Sequence, residues 1–387
     1  MKMSFRKVII IGAALFSLPA FAIIDNNAPI VKLRDITNGG CTEAGLNIDN
    51  CFTDITSLSN WVSGVRRPNA STPLVVDIGP GKFVGAFGCN SLDYPGYVTL
   101  RGAGMKNTII EAPQSPVSTN KCVQMRFSDM TLRNTGNLFG VQNLGGSTFW
   151  DNVEIDGFGY AWFDSPSACG VNYIPGSHYW FGSKITTRSA AGSSTAYFNA
   201  CDVSYFFGSE ITANATVSGT LVRTITAVGG KVHVYGSVIK ALSGSGISTS
   251  SMYAALATGK GEIHIHGTGI DAISADGNSL YVLSANSGGE IHANGSAYNL
   301  KTGVGGSISR ISNSGGHIHA PYLWEHVPNT DGDINTIDTN FSSANGADQT
   351  TVTSGTNDGH PHVAVYSTAC PTTARWYDQV DKVCRSQ

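Results

Sequence analysis

The octapeptide Val232-His-Val-Tyr-Gly236-Ser-Val-Ile239 returns as Ile263-His-Ile-His-Gly267-Thr-Gly-Ile270 and again as Ile291-His-Ala-Asn-Gly295-Ser-Ala-Tyr298. Two earlier copies, His178-Tyr-Trp-Phe-Gly182-Ser-Lys-Ile185 and Ser204-Tyr-Phe-Phe-Gly208-Ser-Glu-Ile211, align on the same glycine. The five glycines stand 26, 28, 31 and 28 residues apart, and a sixth copy begins at Ile318-His319 without its glycine. Looser copies precede them at Phe127-Ser-Asp-Met-Thr-Leu132 and Trp150-Asp-Asn-Val-Glu-Ile155. Apolar residues alternate with period two, the mark of a strand rather than a helix. A glycine pair or near-pair precedes each late copy: Gly229-Gly230, Gly259-Lys-Gly261, Gly288-Gly289 and Gly315-Gly316. Before each pair lies a second strand-like run, as in Leu221 to Val228 or Leu280 to Ser284. Each unit is therefore expected to hold at least two short strands separated by turns.

A repeat of this period means a stacked architecture. The unit is too short for a propeller blade of about 40–45 residues, and a leucine-rich framework is missing. One coil of a parallel β-helix fits it. Composition agrees. Only 13 % of the 387 residues are charged, against about 25 % in ordinary soluble domains. Glycine occurs 46 times. In a stack, strands lie about 4.8 Å apart with like neighbours above and below, so a column of like charges repels itself. The balance of 24 Lys+Arg against 27 Asp+Glu excludes a phosphate-neutralising nucleic-acid binder. Normal apolar content, 41 %, excludes disorder.

The chain begins with Lys2, Arg6 and Lys7, an apolar run from Val8 to Leu18, and the small-x-small site Ala20-Phe21-Ala22. That is the pattern of an export signal over 1–22, too short to span a bilayer. The expectation is a secreted or periplasmic monomer without a membrane span. Cysteines 41, 51, 89, 122, 169, 201, 370 and 384 are even in number, and export favours disulfides. Proximity pairs them 41–51, 89–122, 169–201 and 370–384. No Cys-x-x-Cys occurs, which argues against a zinc ribbon or a redox motif.

Phe52 to Val65 reads as an amphipathic helix, placed to close the open end of the stack. The domain reading is a cap over 23–70, the β-helix over 71–320 and an irregular segment with a cysteine clamp over 321–387.

The runs Val75-Val-Asp-Ile-Gly-Pro-Gly-Lys-Phe-Val-Gly85 and Tyr97-Val-Thr-Leu-Arg-Gly-Ala-Gly104-Met-Lys-Asn-Thr-Ile-Ile-Glu-Ala112 resemble the first coils of pectin-lyase-like β-helices, especially pectinesterases. Phe127 to Asn137 and Ser147 to Phe163 resemble the coils that follow, so the resemblance covers about residues 53–210. It implies an all-β fold: a right-handed, single-stranded parallel β-helix. It also implies an active site of two carboxylates, an arginine and glutamines on one outer face. Carried over residue by residue, the family's Gly-Tyr-Gln-Asp falls on Gly157-Phe158-Gly159-Tyr160, and its Asp-Phe-Ile-Phe-Gly on Ser204-Tyr205-Phe206-Phe207-Gly208. Tyr160 and Ser204 replace the two aspartates, so the esterase site is unmatched. The patterns of pectate lyases and polygalacturonases are also missing.

The remaining candidates come from the repeat itself. Three residues before the glycine stand Tyr179, Tyr205, His233, His264 and His292, with His319 continuing the series. One residue before it stand Phe181, Phe207, Tyr235, His266 and Asn294. Strand side chains alternate, so these two columns share one face, while Trp180, Phe206, Val234, Ile265 and Ala293 point inward. A row of flat rings is suited to stacking sugars, with imidazole donors for their hydroxyls. The function expected is binding of a polysaccharide or cell-surface glycan along this strip. Two alternatives stand beside it. One is a divergent polysaccharide lyase or esterase using Asp151, Glu154 or Asp156. The other is a structural or adhesin-type repeat whose ladder serves only stability. Clustered imidazoles also suit a transition metal. Asp331, Asp333 and Asp338 lie in an oxygen-rich loop suited to Ca²⁺, though without EF-hand spacing; otherwise no cofactor is expected.

Overall fold

The computed structural model describes residues 28–42, 50–88, 96–119, 123–136, 139–143, 145–164, 169, 176–188, 192–276, 278–294, 296–302, 307–319, 323–325, 350–356, 376–378 and 383–385. The chain winds as a parallel β-helix, the fold expected from the repeat and from the resemblance. Each coil contributes one strand to each of three parallel sheets. Sheet I carries the octapeptide repeat: Ser177–Phe181, Val203–Phe207, Lys231–Tyr235, Glu262–His266 and Glu290–Asn294 pair in unbroken register. Sheet II follows with Lys184–Arg188, Glu210–Ala215, Val238–Ser243, Gly269–Ser274 and Ser296–Lys301. Sheet III closes each turn with Tyr160–Asp164, Ser193–Asn199, Leu221–Ala227, Ser251–Thr258 and Ser279–Asn286. The octapeptide is thus one strand, a corner and the start of a second strand, which is why the unit holds three strands.

The corner explains the aligned glycine. Gly182, Gly208, Gly236 and Gly267 all have φ between 52° and 56°. Added Cβ atoms there would meet nothing within 4 Å. Backbone handedness, not crowding, selects the residue. Earlier coils put Asp129 (φ 55°) and Asn152 (φ 54°) at the same corner, the side chains that best tolerate this region. The Asn152 amide donates to Asp129 at 2.7 Å. The serine after Gly182, Gly208 and Gly236 locks the turn to the next coil: the Ser183 amide donates to Ser209 Oγ at 3.2 Å, and the Ser209 amide to Ser237 Oγ at 3.0 Å. The glycine pairs between sheets III and I answer to crowding instead. A Cβ at Gly261 or Gly289 would collide with the backbone of Ala227 or Ala257 in the preceding coil.

The core lies between the three sheets. Phe127, Trp150, Trp180 and Phe206 stack along the axis with centroids 4.0, 4.7 and 5.6 Å apart. Val234, Ile265 and Ala293 continue that inner column and are all buried, as expected. Trp162 stands edge-on to Trp150 and Trp180 from sheet III.

The helix expected near residue 52 spans Ile55–Trp61 and runs on as a wider turn over Val62–Arg66. Asp54 caps it by accepting from the Ser57 amide at 2.6 Å. Ile55, Leu58 and Val62 share one face at spacings of three and four and join the core. Strand pairing reaches beyond residues 71–320 on both sides. Ile30–Leu33 pairs with Leu74–Ile78, Leu323–Glu325 extends sheet II, and Thr350–Thr356 extends sheet III. Trp376–Asp378 and Val383–Arg385 form a separate antiparallel pair. Disulfides join Cys41 to Cys51 and Cys169 to Cys201, with Cα atoms 5.9 and 5.8 Å apart. The expected pairs 89–122 and 370–384, the export signal and the Asp331–Asp338 loop lie outside the described residues. Among the described residues, no helix is long and apolar enough to cross a membrane.

Candidate functional site

Sheet I places the two expected columns side by side on its outer face. In the first, rings stack from Phe149 through Tyr179, Tyr205, His233 and His264 to His292. Their centroids are 5.0, 5.1, 4.9, 4.6 and 4.7 Å apart and their planes within 13° of parallel. In the second, Phe181, Phe207, Tyr235 and His266 stack at 5.2, 5.3 and 5.1 Å. The two ladders run 6.4 Å apart at His233–Tyr235 and 6.5 Å apart at His264–His266. Two rings lie outside the expected columns: the rung Phe149, and His317 beside the end of the ladder. Phe149 stands three residues before Asn152, which holds the corner in place of glycine, and that substitution was the signal available. His317 packs 6.0 Å from His292. The backbone of His319 pairs with His292, as the series implied.

The stacking corrects one expectation. Ring faces are turned toward the coils above and below, so they are not free along the strip for sugars. What faces outward is ring edge, with tyrosine hydroxyls and imidazole nitrogens. The exposure is partial: Phe181 is 38 % exposed and Tyr179 only 9 %.

Burial governs the titration of the strip. It holds His233 down to about 4, helped by neighbouring His264 and His266. Burial also lowers His264 and His266. The same burial raises the hydroxyls of Tyr205 and Tyr235. These five groups are uncharged at neutral pH. Charges flank the strip in pairs: Arg126 with Asp151 at 3.6 Å, and Lys231 with Glu262 at 2.7 Å. Glu262 and Glu290 also approach His264 and His292 at 3.4 and 3.7 Å. Among the described residues, no three His, Cys, Asp or Glu side chains converge as a metal site.

The carboxylates considered for catalysis divide between sheets. Asp151 ends a sheet I strand next to Phe181. Glu154 and Asp156 share the outer face of sheet II. Asp156 is held by Arg133 at 3.1 Å and Arg188 at 2.9 Å. Glu154 accepts from Thr131 at 3.3 Å. Like pairs recur on this face at Lys82–Glu111 and around Glu210, between Lys184 and Lys240. Ser204, where the resemblance puts a catalytic aspartate, points inward and bonds the Tyr197 hydroxyl at 2.6 Å. Tyr160, the other such position, stands on sheet III.

A buried polar network also escaped the sequence reading. His178 Nε2 lies 2.8 Å from Asp202, and its Nδ1 lies 2.8 Å from Thr148 Oγ1. Asn143 donates to Asp202 at 2.7 Å. Asp164 accepts from the amides of Ala200 and Cys201 at 3.0 and 2.9 Å, while its Oδ1 meets no donor among the described residues. Burial and the nearby Asp202 raise Asp164 to about 6.

No family model matches the chain, and no curated protein matches it. Two solved structures do. One is the A-module of the mannuronan C-5 epimerase AlgE4 of Azotobacter vinelandii: 15 % identity over 76 % of this chain and 95 % of that one, TM-score 0.30. The other is ORF18 of Geobacillus virus E2: 12 % identity over 79 % of this chain and 63 % of that one, TM-score 0.36. Both likenesses are coarse, and the fold assignment rests on the strand pairing.

Proposed function

We propose that this protein is exported and binds a polysaccharide or cell-surface glycan along the paired ladder of sheet I. One observation carries this reading. Two ladders of partly exposed rings run side by side over successive coils, their centroids stepped at 4.6–5.3 Å, and carry the hydroxyls of Tyr179, Tyr205 and Tyr235 and the imidazoles of His233, His264, His266 and His292. That interval is close to the length of one sugar in an extended chain. A neutral imidazole and a tyrosine hydroxyl each donate and accept, as sugar hydroxyls do. Aromatic edges between them offer apolar surface, and a contiguous partly exposed strip of this kind marks an interaction surface.

Substituting Tyr179, Tyr205 and His233 by alanine, singly and together, tests the reading on a glycan array. Binding should fall with each substitution while circular dichroism holds. Unchanged binding would leave the second reading, in which the ladder only ties coils together. Its support is the face-to-face stacking itself, worth about 0.5–1.5 kcal/mol per pair.

A further inference from the structure

Resting on that reading, we infer that the strip takes an uncharged, extended polysaccharide, one sugar per coil, and rejects polyuronates. The charges around the ladders carry the argument. In the second and third coils of the ladder the outward side chains are Ser177, Tyr179, Phe181 and Val203, Tyr205, Phe207, with no charge among them. On one side of these coils Arg126 is engaged by Asp151; on the other, Lys231 is engaged by Glu262. One coil further, Glu290 stands beside His292. A uronate chain along the axis would bring one carboxylate per sugar against a surface whose flanking cations are already paired. It would also run onto Glu262 and Glu290. Desolvating those carboxylates without partners is costly. A hydroxylated neutral chain has no such cost. Its hydroxyls meet groups that stay neutral and both donate and accept: burial keeps His233, His264 and His266 unprotonated and the Tyr205 and Tyr235 hydroxyls protonated at neutral pH.

Geometry adds a length rule. The first ladder has six rungs, Phe149 to His292, stepped at 4.6–5.1 Å. The second runs parallel 6.4–6.5 Å away, so one ring can rest across both. Affinity should therefore grow with chain length up to about a hexasaccharide, roughly one sugar per strand spacing.

The experiment titrates the full chain with cello-, xylo- and manno-oligosaccharides from disaccharide to octasaccharide, and with oligogalacturonates of the same lengths. At least one neutral series should bind about tenfold or more tighter than the uronates. Affinity should level off near six units. The variant Ser177→Lys/Val203→Lys, which adds two cations on the strands of Tyr179 and Tyr205, should gain oligogalacturonate binding. Uronates binding as well as or better than every neutral series would overturn this inference and leave the glycan reading standing. Affinity that stops rising at the disaccharide would overturn the axial placement. Failure of every series, neutral and acidic, would overturn the glycan reading itself.

Discussion

His264 and His292 stand one coil apart, with ring centroids 4.7 Å apart and planes 3° from parallel. His233 stacks on the other side of His264 at 4.6 Å. Such a column is stable while its imidazoles are neutral and repels itself when they are charged.

Acid should therefore loosen the ladder. His233 has its folded-state pKa lowered from 6.5 to about 4. As pH falls, the unfolded chain takes up the proton first. The stabilising contribution is whole above 6.5 and is lost as pH falls toward 4. Lys231 nearby adds to the lowering, while Glu262 opposes it. Thermal melts at pH 7 and pH 4 should show a larger loss for the natural chain than for His233→Phe/His264→Phe, which keeps the stack without the charge. Equal losses would contradict this.

Asp164 acts in the opposite sense. Its folded-state pKa is raised from 3.8 to about 6, so its contribution is whole below 3.8 and is lost as pH rises through about 6. Asp164→Asn keeps an acceptor for the Ala200 and Cys201 amides and removes the buried charge. Stability at pH 8 should rise by up to about 3 kcal/mol, with the gain vanishing near pH 4. No gain at pH 8 in chemical denaturation would contradict it.

The corner can be probed at Gly208, where φ is 56° and the space is open. Gly208→Asn should cost a few tenths of a kcal/mol, as Asn152 already serves this position. Gly208→Val should cost about 1–3 kcal/mol from strain alone. Similar costs for both would assign the glycine to crowding instead.

Adjacent Trp180 and Phe181 separate core from surface. Trp180 is wholly buried between Trp150 and Phe206. Trp180→Ala should cost about 3–5 kcal/mol. Phe181→Ala should cost about 1 kcal/mol, since it loses one stacking partner and part-exposed surface, while weakening glycan binding.

Much of this architecture was legible because one coil reports on the next. Alternation in Val232 to Tyr235 gave the faces, and the spacing of Gly208, Gly236 and Gly267 gave the stack. The third strand was hidden because the corner takes only Gly208 and Ser209, too brief to break the apolar run. Ring orientation was hidden too: spacing tells which residues share a column, not whether their faces meet. The network of His178 with Asp202 does not repeat between coils, so periodicity could not reveal it. Glu262 and Glu290 were visible as charges, but their bearing on ligand choice needed the register that sets them beside His264 and His292.

The most direct measurement is the affinity of a neutral hexasaccharide for the natural chain and for Tyr205→Ala, at neutral pH and with both melting transitions recorded. Tyr205 is the rung between Tyr179 and His233, so its loss opens a gap mid-ladder. The affinity should fall at least about tenfold while the fold persists. Equal affinity for the two folded proteins would contradict it.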